Sequence, residues 1–136
     1  MPQQAIFAPM GVLAFLTFAV LILIPIRRFA AARAGLTKAE DYRFGESANV
    51  PGHVSIPNRS YMNLLELPLL FYVGCLMYFV AGKVGAVPLA IAWTYVALRV
   101  VHTLIHLTYN NVVHRLIPFA VSNIVLLVFW ILFFLR

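Results

Sequence analysis

The sequence predicts an all-α integral membrane protein, a single left-handed bundle of four spanning helices. Hydrophobic residues make up 63% of the 136 residues and charged residues 10%, whereas soluble domains are ~45–50% apolar and ~25% charged. The apolar residues fall in four long runs, each close to the ~20 residues that cross a bilayer. With one cysteine, a disulfide scaffold is excluded. Nucleic acid is not an expected partner despite the net charge of +6.

The four runs predict spans over about residues 5–26, 60–81, 86–107 and 116–135 of one domain, 1–136. No basic residue precedes the first run, which favours a membrane span over a cleaved signal peptide. Short links join the later runs, so consecutive helices are expected to be antiparallel neighbours, which is typical of a left-handed bundle.

Basic residues are concentrated on one side of the predicted membrane. Those of the long loop, residues 27–59, are Arg27, Arg28, Arg33, Lys38, Arg43 and Arg59. Arg115 adds to the same side, and only Lys83 and Arg136 lie on the other. Positive loops stay in the cytoplasm, so we expect both termini on the non-cytoplasmic side. The expected location is a bacterial inner membrane rather than the endoplasmic reticulum.

Two predicted spans carry a stripe of polar side chains. The stripe of the second span is Arg59, Asn63 and Glu66, and that of the third is Tyr95, Arg99, His102 and His106. Spacings of three and four residues put each set on one helical face. A charge at mid-membrane costs ~2.5–3.5 kcal/mol on insertion scales, so such residues indicate function.

The helical rise of ~1.5 Å per residue puts Glu66 and Arg99 at similar depth. We expect them to form a buried ion pair, because each would be costly alone. The other polar residues lie progressively nearer the cytoplasm, and Arg115 begins the fourth span. The sequence therefore predicts a polar cleft that opens toward the basic loop.

Neither a metal nor a haem site is predicted. His102 and His106 are one turn apart, but zinc sites use three or four ligands, and no cysteine or second acidic residue is expected at that depth. Four aromatic residues, Phe71, Trp93, Phe129 and Trp130, are expected to face lipid or the membrane interface and to have no functional role. Cys75 is expected to be a packing residue.

Two segments resemble the motifs of a known family. Residues 59–66, RSYMNLLE, followed by Pro68, resemble the second-helix signature of the membrane-associated proteins in eicosanoid and glutathione metabolism, the MAPEG family. Residues 99–103, RVVHT, with His106 and Arg115 beyond, resemble the third- and fourth-helix signature. The motifs are nearest to those of the microsomal prostaglandin E synthase and microsomal glutathione transferase branches.

The resemblance implies an assembly, a cosubstrate and a site. Family members are homotrimers of four-helix subunits that bind glutathione in clefts between subunits. Carried over by position, the glutathione-binding residues are Arg59, Asn63, Glu66, Arg99, His102 and His106. Arg115 is implied as the catalytic residue that stabilises the thiolate, and Arg99 as a support for Glu66. The implied partners are a second copy of the chain, membrane lipid and a lipophilic small molecule.

The chain departs from the family pattern at two positions. His106 stands where tyrosine is common, and Phe119 stands where the synthase branch has another tyrosine. An imidazole still donates a hydrogen bond, but Phe119 removes one hydroxyl contact. The first-span arginine that a neighbouring subunit contributes in the family corresponds here to Arg27, Arg28 or Arg33, without a choice among them.

The leading function is a glutathione-dependent transferase or peroxidase acting on lipophilic electrophiles. Arginines suit the carboxylates of glutathione, and a thiol with a pKa of about 8.5 needs a nearby cation to ionise at neutral pH. One alternative is a non-catalytic membrane protein that uses the cleft for assembly or lipid binding. A small transporter is disfavoured, because the polar residues stop halfway across the membrane.

Overall fold

The computed structural model describes residues 2–136, and the described chain forms no β-strand. Its α-helices are α1 Phe7–Arg33, α2 Gly52–Leu65, α3 Pro68–Val80, α4 Ala86–Leu107 and α5 Val112–Leu135. Short 3-10 helices lie at Gln3–Ile6 and Ala39–Tyr42.

Four helical segments are long and apolar enough to cross a membrane. They are Gln3–Arg33, Gly52–Val80, Ala86–Leu107 and Val112–Leu135, the second consisting of α2 and α3. Helix α4 packs along α5, and α1 packs along α2. The predicted all-helical architecture with four spans is confirmed.

The bundle has two ends that differ in chemistry. We call the end with segment 34–51 and link 108–111 the loop end, and the end with link 81–85 and Arg136 the terminal end. The half of the bundle next to each is the loop half or the terminal half.

At the loop end the helices are longer than the hydrophobic runs. Helix α1 continues to Arg33, and α2 begins at Gly52, so much of the predicted 27–59 loop is helical. Helix α5 begins at Val112 because the side chain of Asn111 accepts hydrogen bonds from the first-turn backbone N–H groups. Hydrophobicity marks the part of a helix that lies in lipid, whereas capping groups decide where the helix ends.

The second span is broken at Glu66, whose backbone (φ −77°, ψ −100°) is not helical. Pro68 explains the break, because it has no N–H to donate to the carbonyl of Leu64 and its ring crowds that carbonyl. Helix α3 starts afresh with Pro68 in its first turn, a position that proline favours. Glu66 is exposed on the surface of the chain.

The core of the terminal half consists of stacked aromatic rings. Phe71 stacks on Tyr95 at 4.7 Å between ring centroids, and Tyr78 stacks on Phe129 at 4.6 Å. The expectation that Phe71 and Phe129 face lipid is wrong, since each is at most 1% exposed. The cause is close contact between helices: a Cβ atom added to Gly74 would lie 3.0 Å from the Phe129 ring.

Side chains close the terminal end by binding backbone groups. The Gln3 amide donates to the Val84 carbonyl and accepts from the Val84 N–H, at 3.0 and 2.9 Å. The Lys83 ammonium donates to the carbonyls of Phe133 and Arg136. Cys75 lies fully buried in this core, in agreement with the packing role predicted for it.

The loop end is ordered around one carboxylate. Asp41 accepts hydrogen bonds from the backbone N–H of Lys38 at 2.8 Å and from the Ser47 hydroxyl at 2.9 Å. The Asn49 side chain approaches the same carboxylate. The Lys38 N–H, and after it the Ser47 hydroxyl, hold the pKa of Asp41 below its usual value.

Candidate functional site

A cavity of about 370 Å³ opens at the loop end among α2, α4 and α5. This volume lies within the ~300–1,000 Å³ that is typical of small-molecule sites. The polar residues of its lining are Arg59, Asn63, His102, His106, Asn110 and Arg115. The structure thus brings together most of the residues that were predicted from spacing and resemblance; Glu66 and Arg99 are the two that do not line the cavity.

Helix α2 supplies one wall of the cavity through Arg59 and Asn63, which are one turn apart. The Asn63 carbonyl accepts a hydrogen bond from the Arg99 guanidinium on α4 at 3.2 Å. This bond ties the two polar stripes together through a backbone group, and the Asn63 side chain itself lines the cavity. An amide offers both a donor and an acceptor to a ligand.

Helix α4 supplies two imidazoles. His102 and His106 are 2% and 5% exposed, and their ring centroids lie 5.9 Å apart. The Nδ1 atom of each is buried and has no hydrogen-bond partner between residues 2 and 136. Buried polar atoms are nearly always paired in folded proteins, so these two nitrogens mark a place where a polar ligand gains hydrogen bonds.

Helix α5 supplies Arg115 from its first turns. Its guanidinium donates to the Asn110 side-chain carbonyl at 2.8 Å, which fixes its direction. Asn110 has φ 46°, a left-handed conformation that asparagine tolerates better than most residues. A cation close to a helix N-terminus adds to the positive end of the helix dipole, so the two together attract an anion.

Asn110, which lies in the short link between the third and fourth predicted spans, was not singled out from the sequence. The signal that could have found it is the asparagine pair itself. Asn111 caps α5, and Asn110 adopts the left-handed conformation from which its side chain reaches Arg115. Both are residue types that turns of this kind favour.

Arg99 is fully buried behind the cavity lining. Its guanidinium donates to Asn63 and lies 5.7 Å from the ring centre of Phe119, and two of its nitrogens have no partner in the described chain. The predicted ion pair with Glu66 is wrong: no such pair forms among the described residues. The break before Pro68 carries Glu66 away from the helical register on which that pairing was predicted.

The lining contains cations and no carboxylate. Arg59 and Arg115 line the cavity and Arg99 lies behind it, while no acidic residue is part of the wall. Cations gathered in an apolar surrounding attract anions strongly, because the field is less screened there than in water. The arrangement is therefore suited to a small, negatively charged, hydrogen-bonding ligand.

Apolar residues surround this polar interior. Phe119 forms one wall against the His102 ring, at 5.4 Å between centroids. Val112 and Leu116, which are 64% and 56% exposed, stand at the cavity on the outer face of α5. An apolar molecule dissolved in a bilayer meets these side chains before it meets the cations.

The candidate first-span arginines do not line this cavity. Arg27 donates to the carbonyl of His53, and Arg28 pairs with Glu46 at 3.1 Å. Arg33 ends α1 and is exposed.

The fold and the cavity define a class of protein, a small four-span membrane protein with a cationic site at one end of its bundle. The model of the MAPEG family matches residues 6–135, nearly the whole chain, and the protein belongs to this family. The family predicted from the motifs is thereby confirmed. A search of curated proteins gave no match, and a search of solved structures gave none.

Proposed function

We propose that this protein is a glutathione-dependent transferase or peroxidase that acts on lipophilic electrophiles. The observation that carries the proposal is the cationic cavity of a MAPEG family member, with Arg59 and Arg115 in its wall and two buried imidazoles between them. Family membership is consistent with this activity, and the charge of the cavity matches the charge of glutathione.

Each group of glutathione has a counterpart in this proposal. Its carboxylates bind to the guanidinium groups, which form strong charge-assisted hydrogen bonds, and its peptide groups bind to Asn63 and to the imidazoles. Arg99 acts from behind as a positioning residue, through its bond to the Asn63 carbonyl. Glu66 is exposed on the subunit, so it meets the ammonium group only where two subunits are in contact.

The chemistry begins with loss of the thiol proton. Arg115 lies beside the thiol and favours the thiolate, because a fixed cation stabilises the ionised form. In the transferase reaction the thiolate forms an S–C bond while the leaving group takes the bonding electrons. In the peroxidase reaction the thiolate attacks a peroxide oxygen, the O–O bond breaks, and the leaving alkoxide takes up a proton to become an alcohol. The glutathione sulfenic acid then condenses with the thiol of a second glutathione to give the disulfide and water.

The proposed assembly is a homotrimer in a bacterial inner membrane, with both termini on the non-cytoplasmic side. Two features of the subunit support shared sites. Glu66 is a carboxylate exposed within a membrane span, which is costly unless another subunit covers it. The first-span arginines lie away from the cavity of their own subunit, so they would serve a neighbour.

The test separates binding from ionisation. Calorimetry measures the binding of glutathione to the purified protein in detergent, and ultraviolet absorbance measures the bound thiolate. Arg115→Ala is expected to keep the fold and much of the binding, while the thiolate signal and the turnover fall. Arg43→Ala is the matched control, since Arg43 is exposed on the loop and pairs only loosely with Glu40 at 3.8 Å.

If Arg115→Ala leaves thiolate and turnover unchanged, the catalytic assignment is wrong. If glutathione does not bind at all, the second candidate is favoured, a non-catalytic membrane protein that uses the cavity for assembly or lipid binding. The specific observation behind that candidate is Phe119, which supplies a ring without a hydroxyl to the cavity wall.

A further inference from the structure

A second cavity lies at the loop end and shares no lining residue with the first. Its volume is about 600 Å³, and it is formed between the last turns of α1 and the segment that follows. Ile24, Pro25 and Phe29 line the part along α1, while Thr37 and Lys38 line the part along the loop. One side is therefore apolar, and the other carries polar and charged groups.

Arg28 lies in the wall between these two sides. Its guanidinium is held by Glu46 at 3.1 Å and lies over the Tyr42 ring, 4.7 Å from the ring centre. Its Nε atom is buried and has no hydrogen-bond partner within the described part of the chain. The cation is thus fixed in place, and one of its N–H groups is unused.

Lys38 stands at the polar side of the cavity and is exposed. Its backbone N–H is bound to Asp41, which fixes the start of the loop. The Lys38 ammonium takes part in no ion pair between residues 2 and 136. Lys38 therefore brings a second cation to the cavity, and the nearby Asp41 carboxylate is bound to the Lys38 backbone N–H and the Ser47 hydroxyl rather than to the ammonium.

The location sets the kind of ligand. The cavity lies where the first candidate span, Gln3–Arg33, ends and the polar segment 34–51 begins. The end of a span is where lipid headgroups are found in a bilayer. The neighbouring residues Ile26 and Phe29 of α1 are 55% and 64% exposed, so the apolar side is continuous with a lipid-facing surface. Basic pockets at this depth are typical binding places for anionic headgroups.

We propose that this cavity binds one anionic phospholipid. The phosphate lies against Lys38 and the free N–H of Arg28, and an acyl chain follows Ile24, Pro25 and Phe29 along α1. Charge complementarity selects an anionic headgroup, while the apolar side selects a lipid over a soluble phosphate. The two cavities of one chain have no residue in common. Because the lipid site uses Arg28, this proposal leaves Arg27 or Arg33 as the first-span arginine for a neighbour's glutathione site.

A bound lipid would connect α1 to the loop. Phe29 belongs to the helix and Lys38 to the loop, so a molecule that contacts both resists separation of the two. The loop itself has few buried contacts, with Thr37 its one buried residue between 34 and 51. Anionic lipid is therefore expected to raise the stability of the loop end, by binding the folded state only.

The experiment uses the full-length protein in a zwitterionic detergent, with phosphatidylglycerol or phosphatidylcholine added. Native mass spectrometry counts bound lipid, and thermal unfolding measures stabilisation. We expect phosphatidylglycerol to bind and to raise the melting temperature, and phosphatidylcholine to do so much less. Lys38→Gln is expected to weaken phosphatidylglycerol binding about fivefold, whereas Arg43→Gln, which removes a loop charge outside the cavity, leaves it unchanged.

A second pair of variants tests the cavity without changing any charge. Ala32→Phe fills the cavity from α1 and is expected to abolish the bound lipid. Ala30→Phe is the matched control, since Ala30 is also exposed on α1 but does not line the cavity. The proposal is overturned if both variants bind lipid equally or if phosphatidylcholine binds as well as phosphatidylglycerol. It is also overturned if glycerol phosphate displaces the bound lipid at concentrations no higher than those at which added phosphatidylglycerol displaces it.

Discussion

The two halves of the bundle differ in how far their buried polar groups are paired. In the terminal half the Tyr78 hydroxyl donates to the Phe129 carbonyl at 2.7 Å, and the Trp130 indole donates to the Leu70 carbonyl at 3.0 Å. In the loop half, several buried nitrogens of Arg99, His102 and His106 have no hydrogen-bond partner in the described chain.

This difference indicates that one half of the bundle supplies stability and the other supplies groups for binding. A buried polar group without a partner costs about 1–3 kcal/mol, so the loop half is less stable than its packing alone would make it. The terminal half, where rings stack and the Tyr78 hydroxyl is paired, compensates for that loss, although the buried Tyr95 hydroxyl has no partner among residues 2–136. Ligand-binding sites commonly show this pattern, because the polar groups that form hydrogen bonds to the ligand have no partner when the ligand is absent.

The largest effect on stability is expected from a substitution in the aromatic core of the terminal half. Phe129→Ala removes a ring that is 1% exposed and stacked on Tyr78, and it is expected to cost about 3–5 kcal/mol of unfolding free energy. Val128→Ala, at a neighbouring position that is 47% exposed, should change stability by less than about 0.5 kcal/mol. Denaturant unfolding in detergent micelles measures both, and equal losses would contradict the aromatic core.

In the loop half, a change at Asn110 should affect chemistry more than stability. Asn110→Gly keeps the left-handed backbone but removes the acceptor that holds Arg115 at 2.8 Å. A hydrogen bond to a charged group contributes about 1.5–3 kcal/mol, so turnover with glutathione should fall about tenfold or more. Asn110→Ala should in addition lower stability by about 1–2 kcal/mol, through backbone strain.

The outcome that would contradict this prediction is a glycine variant with normal turnover. Arg115 would then be oriented by something other than Asn110. Thermal unfolding of the two variants distinguishes the strain of the alanine from the lost acceptor, which both variants share.

A double-mutant cycle tests the missing ion pair. Glu66→Gln and Arg99→Met should show a coupling in unfolding free energy of about 1 kcal/mol or less, as expected for two charges that interact without direct contact. The reason is that Arg99 contacts Asn63 and Phe119 instead of Glu66. A coupling of several kcal/mol, which a buried ion pair would produce, would show that Glu66 and Arg99 do form the ion pair predicted from the polar stripes.

The smallest expected effect concerns the loop. Because the pKa of Asp41 is lowered on folding, its carboxylate helps to order the loop at neutral pH, and this help is lost as the pH falls through the folded-state pKa. Asp41→Asn should therefore speed hydrogen exchange at the Lys38 amide at neutral pH. Glu40→Gln is the control, since Glu40 is exposed and has no hydrogen bond to that amide; equal exchange in the two variants would contradict the role of Asp41.

The sequence by itself determined the class of protein and the faces of its helices. Four apolar runs longer than ~17 residues leave little alternative to spanning helices. Spacings of three and four residues put Arg99, His102 and His106 on one face of α4, because a regular helix repeats every 3.6 residues. These properties are local, so they do not depend on which helix packs against which.

Tertiary structure decided everything that depends on contact between helices or on a departure from regularity. A single break before Pro68 moved Glu66 out of the register that spacing assumes. Phe71 and Phe129 are buried because α3 and α5 meet at Gly74, although hydrophobicity cannot distinguish a side chain that faces lipid from one that faces another helix, since both surroundings are apolar.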